Sequence, residues 1–185
     1  MVAKVYRAMQ IAAEFVKIAN QHQAALSNLK LQKLLYYAQG RSLAVNGTRL
    51  FREPIEAWDH GPVVSDVYHA CKGNGSQTVE IDPSYLNELF ELDRDTRRIL
   101  DAVWSEEGSK AAWVLREQTH KEAPWRDHYL PGLRHVEIPI DAISDYFREQ
   151  HLAPSLSIES ALEEWVEESR KLAEEFLPAT EDVEW

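Results

Sequence analysis

Apolar residues recur three and four positions apart through most of this chain, and that spacing restricts the fold to packed helices more than any other feature does. Ala8, Ile11, Ala12, Phe15, Ile18 and Ala19 fall on one side of a helix read over Tyr6 to Ala19. Ser27 or Asn28 supplies an N-cap for a second helix, which carries Leu31, Leu34, Leu35 and Ala38 on one face and stops at Asn46-Gly47. Between Thr48 and Asp59 the period breaks into short apolar pieces around Pro54, so a small extended element or hairpin is expected. Gly61-Pro62 reads as the start of a third helix, since proline at a first helical position forfeits no hydrogen bond. Thr78 to Ile81 reads as a second short strand. Asp82-Pro83, Asp93 and Ser109 open further helices, a loop holding Pro124, Pro131 and Gly132 follows, and a helix runs from about Pro139 to Gln150. The expected fold is mainly α: a compact helical domain with a two- to three-stranded β element, plus a C-terminal amphipathic helix.

A chain of 185 residues that is 44% apolar can bury a sizeable core in one domain. The linker-like stretch from His151 to Ser155 sets the boundary, giving a domain over 1–151 and an acidic amphipathic helix and tail over 152–185. The net charge of −11 is unevenly spread: residues 1–50 hold seven Lys and Arg against Glu14, whereas residues 157–185 hold ten acids against Arg170 and Lys171. Such a split fits ends that lie near one another, faces offered to different partners, or two solvated helix faces. Within the acidic segment Ile158, Leu162, Trp165, Val166 and Phe176 form an apolar stripe, suited to packing on its own domain, to a homodimer, or to presenting Trp165 to a partner. No run approaches the roughly 20 apolar residues of a membrane span, and no cleavage-site pattern follows an apolar stretch, so a cytoplasmic location is expected. Cys71 is the single cysteine, which excludes an intramolecular disulfide and zinc patterns built on paired cysteines; it reads as structural.

Three stretches stand out by length and order: KLQKLLYYAQG from Lys30 to Gly40, IEAWDHGPVVSDVY from Ile55 to Tyr68, and LREQTHKEAPWRD from Leu115 to Asp127. Together they resemble the Panacea domain, also called SocA-like, of toxin–antitoxin systems and prophages, over roughly Tyr6 to Gln150. The resemblance implies a compact helical domain with a small strand element, acting as the antitoxin half of a two-gene module and binding a cognate toxin encoded by the adjacent gene. Ser65 stands where relatives often carry proline, and His60 where they often carry tyrosine. The segment after Ser155 lies outside the resemblance.

Read as residues, the motifs are mostly architectural. Leu31, Leu34 and Leu35 form a buried face, while Lys30, Lys33 and Arg41 point elsewhere and Tyr36 and Tyr37 serve both faces. Trp58 packs beneath the Gly61-Pro62 turn, with Tyr68 closing the same motif, and His60 is a candidate exposed contact. The N–H groups of a helix starting at Gly61-Pro62 would offer an anion site to an acidic toxin side chain. Thr119-His120 ends a helix, where His120 caps free carbonyls, and Pro124-Trp125 begins the next loop with Trp125 as its anchor. Candidate toxin-binding residues are Lys30, Lys33, Tyr37, Arg41, His60 and Trp165.

No catalytic residue, metal site or cofactor is expected. His120, Glu122, His128 and His135 share a loop-rich stretch but lack the i, i+4 spacing of a helical zinc site. There is no GxSxG elbow, phosphate loop or dinucleotide fingerprint. A metal-dependent hydrolase is the weaker alternative. A DNA-binding autoregulator of its own operon is the other, favoured by the basic first fifty residues and opposed by the acidic whole and the lack of a clear helix-turn-helix.

Overall fold

The computed structural model describes residues 4–74, 77–81, 91–133 and 135–151, with 162 and 166. Helix α1, Ala8–Gln21, begins after Arg7, whose N–H donates to Gln10 Oε1 at 3.0 Å, while the N–H of Ala8 is taken by the Glu53 carboxylate at 2.8 Å. Helix α2, Asn28–Asn46, starts where Ser27 Oγ accepts the N–H of Lys30, and ends at Gly47, whose φ of 66° lets its N–H reach Leu43 O at 3.1 Å. Its buried residues, from Asn28 to Leu43, lie on every side of the helix, so α2 is the axis around which the domain packs.

Strands β1, Glu56–Trp58, and β2, Gly61–Val63, form an antiparallel hairpin with Glu56 opposite Val63, Ala57 opposite Pro62 and Trp58 opposite Gly61. Gly61-Pro62 therefore lies in a strand and does not open a helix; helix α3, Ser65–Cys71, starts after Val64. The physical reason is local. Gly61 adopts a φ of 98°, which a right-handed helix cannot use, and its backbone presses against Lys33 and Thr119 so closely that a Cβ would lie 2.7 Å from Lys33 Nζ. With no helix starting there, the anion site expected at Gly61-Pro62 has no helix start behind it. The segment Thr78 to Ile81 is not a strand either; the N–H of Val79 donates instead to Leu26 O at 2.8 Å. The helix expected after Asp82-Pro83 falls outside the described residues.

Helix α4, Arg94–Glu107, is capped by Asp93, whose Oδ1 accepts the N–H of Thr96 at 2.7 Å; the same carboxylate accepts from Tyr6 Oη at 2.7 Å, joining the chain's start to this cap. Helix α5, Ala112–Lys121, leads through Glu122 into a single turn, α6, Ala123–Arg126, so Pro124-Trp125 sits in helical backbone and not in a loop. Residues 140–151 form α7. α2 packs against α1, α4, α5 and β2. The core they enclose includes Phe15, Leu34, Tyr36, Phe51, Leu100 and Leu115.

The chain divides into a compact unit over Met1–Arg148 and a second over Glu149–Trp185. In the second, Leu162 and Val166 are helical, and Trp165 lies outside the described residues. No described helix is long and apolar enough to cross a membrane.

Candidate interaction site

The three motifs meet around the middle of α2. Lys33 is fully enclosed, and its ammonium donates to Pro62 O at 2.8 Å. Burial, reinforced by the Arg116 guanidinium, holds it well below the ordinary lysine range, with Glu122 pulling weakly the other way. One turn on, Tyr37 Oη donates to Glu122 Oε1 at 2.9 Å. Burial pushes the Glu122 carboxyl up to about 7 against the lowering pull of Tyr36, Tyr37 and Gln118. Tyr36 Oη is near enough to exert that pull without reaching hydrogen-bond geometry. Among the described residues, Tyr36 Oη, Glu122 Oε2 and His120 Nε2 are the buried side-chain polar atoms without a hydrogen-bond partner.

Aromatic stacking ties this interior to the hairpin. His120 lies on Trp125 with ring centroids 3.8 Å apart and planes 7° apart, and Trp125 lies on Tyr129 at 4.6 Å and 14°. The indole N–H of Trp125 donates to Trp58 O at 2.9 Å, and Tyr129 Oη donates to Asp59 at 2.8 Å, fixing the hairpin turn from both sides. His120 thus serves as a stacking plate; burial, then Arg116 and Lys33, lowers its pKa and favours the neutral ring. Thr119, entirely buried, donates its hydroxyl to Arg116 O at 2.9 Å and abuts Gly61.

Residues of the hairpin, α2 and α3 together line an open pocket of about 550 Å³. Trp58 and Tyr68 form its aromatic wall, edge to face at 4.9 Å, with His69 against Tyr68 at 5.4 Å and His135 edge-on to Trp58 at 6.4 Å. The indole N–H of Trp58 donates to Glu56 Oε2 at 2.7 Å, and His135 Nδ1 faces the same oxygen at 3.1 Å. Asn28 and Gln32 of α2 also line the pocket; Asn28 Nδ2 donates to Tyr68 O at 3.1 Å, and Gln32 Oε1 accepts the N–H of Val64 at 2.9 Å.

The residues singled out from sequence fall into two groups. Lys30, Lys33 and Tyr37 are buried, contrary to the expectation that the lysines point away from the core: Lys30 donates to Gly108 O at 2.6 Å beside the Trp104 ring. Lys30 and Lys33 sit on a stretch of α2 buried on all sides and have no route to solvent, so each ends on a backbone carbonyl. Arg41, paired with Glu106 at 2.6 Å, and exposed His60, 3.4 Å from Arg116 Nε, remain within reach of a partner. Trp58, Gly61, Pro62, Tyr68, Thr119, His120, Pro124 and Trp125 all lie at or beside the hairpin. Sequence reasoning missed His69, Lys72 and Leu133 as pocket residues and Glu56 as the carboxylate that holds Trp58 and His135, and it met His135 only in the search for metal ligands. Among the described residues no group of three His, Cys, Asp or Glu side chains is placed to hold a metal ion.

Comparison with known proteins follows the same residues. The family model described as "Antitoxin SocA-like, Panacea domain" matches residues 31–126, from α2 through α6. The chain is 34% identical over 109 residues to Antitoxin SocA of Caulobacter vibrioides (strain NA1000 / CB15N), covering 54% of this chain and 58% of that relative's length. No solved structure matches the chain.

Proposed function

The chain belongs to the antitoxin SocA-like, Panacea domain family, and from that premise we propose that it is the antitoxin of a toxin–antitoxin pair, neutralising a cognate toxin encoded by the neighbouring gene through direct protein–protein contact and without catalysis. One observation carries this reading. The motif side chains are engaged inside the domain, with Lys33 on the Pro62 carbonyl, Tyr37 on the Glu122 carboxyl and Trp125 on the Trp58 carbonyl, and they brace a hairpin that lines an open aromatic pocket together with α2 and α3. A scaffold that holds a recognition surface rigid suits binding, because side chains ordered beforehand lose little freedom on association.

The DNA-binding alternative drew on the cations of the first fifty residues, and two of these, Lys30 and Lys33, are enclosed and unable to meet phosphates. Expression of the neighbouring reading frame with and without this chain tests the antitoxin role. Growth arrest relieved by co-expression is expected; arrest that persists despite equal levels of both proteins would overturn it.

A further inference from the structure

We propose that Glu122 is the pin of a proton-operated latch: with a proton on its carboxyl it holds the turn α6 against α2, and when that proton leaves, α6 opens with Trp125 and loosens the hairpin. Such a latch is a property of this chain alone and needs no partner.

Glu122 is the single residue between α5 and α6, with extended backbone at φ −82° and ψ 135°, and its side chain runs inward to α2. The residue is only 7% exposed. One carboxyl oxygen accepts the Tyr37 hydroxyl at 2.9 Å; the other has no hydrogen-bond partner, and neither has Tyr36 Oη on the same helix. A neutral carboxyl tolerates so few bonds, whereas a carboxylate in a dry interior needs several donors or a cation beside it.

The groups that face it supply neither. From α2, the Lys33 ammonium is directed to Pro62 O at 2.8 Å, and Tyr37 gives the one hydroxyl bond. From α5, Arg116 pairs with Glu117 and lies against His60, Gln118 accepts from Lys110 at 3.0 Å, and the His120 ring, kept neutral by burial, lies on Trp125. From α4, Glu107 adds a like charge, itself held by Lys110 at 2.8 Å. From α7, Tyr146 feels the same carboxylate, and burial, reinforced by that carboxylate, pushes its phenol up to about 12, so it too stays neutral. Burial therefore outweighs the donors and brings the Glu122 carboxyl up to about 7.

The element that gives way is α6. It is a single turn of four residues, whereas α2 is buried along most of its length and α5 is anchored by Leu115 and Thr119. The N–H groups of Arg126 and Asp127 reach carbonyls within the turn itself, those of Glu122 and Ala123, both at 3.0 Å. Its hold on the rest of the domain runs through Trp125, stacked with His120 and Tyr129 and bonded to Trp58 O at 2.9 Å. Turning Glu122 into water pulls on that stack and that bond, and releases the hairpin at Trp58 and, through Tyr129 Oη, at Asp59.

The test is amide hydrogen exchange, followed by NMR on the whole chain from about pH 5 to about pH 8 and corrected for the intrinsic exchange rate. With about 7 in the closed form and the ordinary 4.5 once exposed, the closed form keeps a proton that the open form releases. Opening therefore grows easier as pH rises and levels off above about 7. Protection of the Arg126 and Asp127 amides is expected to fall about 70-fold across that range. It is also expected to lie at least tenfold below that of the α2 amides and to depend only weakly on urea, as a local opening does. In Glu122→Gln the fall is expected to vanish. Tyr37→Phe, which removes the hydroxyl bond to the carboxyl, is expected to move the levelling-off to higher pH. Protection that is flat with pH in the parent, or that falls equally in Glu122→Gln, would overturn the latch. So would α6 amides that exchange only together with those of α2, since the chain would then open as a whole. A levelling-off left in place by Tyr37→Phe would remove the Glu122 carboxyl from the device and overturn it as well.

Discussion

Replacing Glu122 by Gln removes one ionisation from the centre of the domain and keeps an acceptor for the Tyr37 hydroxyl. Glu122 Oε2 has no hydrogen-bond partner, so the amide group that takes its place breaks no existing bond. The carboxyl titrates near 7 in the folded protein, against an ordinary value of 4.5. Between those limits the folded state keeps a proton that the unfolded chain has released. The contribution is therefore fully present below about pH 4.5 and is lost as pH rises through about 7. At about 1.36 kcal/mol per pH unit, the loss is on the order of 3 kcal/mol. Lys33, held below its ordinary range, acts with the opposite sign and adds stability as pH climbs from its folded value towards that of a free lysine. Lys33 is present in both proteins and burial dominates its shift, with Glu122 the smallest of its causes, so the difference between parent and variant reports mainly Glu122. Urea unfolding from about pH 5 to about pH 8 should find Glu122→Gln close to the parent at the acid end and more stable by roughly 2–3 kcal/mol at the alkaline end, with equal m-values. A difference that stays constant across that range would refute the reasoning.

Other outcomes follow from the same packing. Gly61→Ala should lower stability by about 3 kcal/mol or more, read as a drop in melting temperature, because φ is 98° and the new Cβ would lie 2.7 Å from Lys33 Nζ and 2.8 Å from Thr119 Oγ1. Gln39 accepts the N–H groups of Leu50 and Phe51 at 2.9 and 3.1 Å, and Gln39→Ala should cost about 2–4 kcal/mol in chemical denaturation by leaving both buried donors unpaired. Gly40→Ala drives a Cβ to 2.3 Å from the Phe147 ring and should destabilise by roughly 1–3 kcal/mol in the same assay.

Helices α2 and α4 were legible in the sequence because their apolar period coincides with caps that local chemistry dictates, Ser27 and Asn46-Gly47 for the first and Asp93 for the second, and α1 was legible from its apolar period alone. The interior faces of α2 were not. Lysines read as solvent-facing on polarity alone, and nothing local reveals that a carbonyl at Pro62 or Gly108 waits to receive them. Gly61-Pro62 misled for a related reason: the dipeptide suits a helix start, but contact with Lys33 and Thr119, far away in sequence, holds it in a strand. In the pocket, Trp58 and Tyr68 were visible as motif residues. The pairing of Glu56 with His135 was not, because it joins residues 79 positions apart and neither type carries a periodic signal.

The account rests on this chain forming a complex with the product of its neighbouring gene. Light scattering of the two purified proteins, mixed and passed through a sizing column, measures that directly. The account predicts a single species whose mass accounts for both polypeptides in fixed ratio. Two separate peaks at micromolar concentration, from a pair in which co-expression still relieves growth arrest, would contradict it.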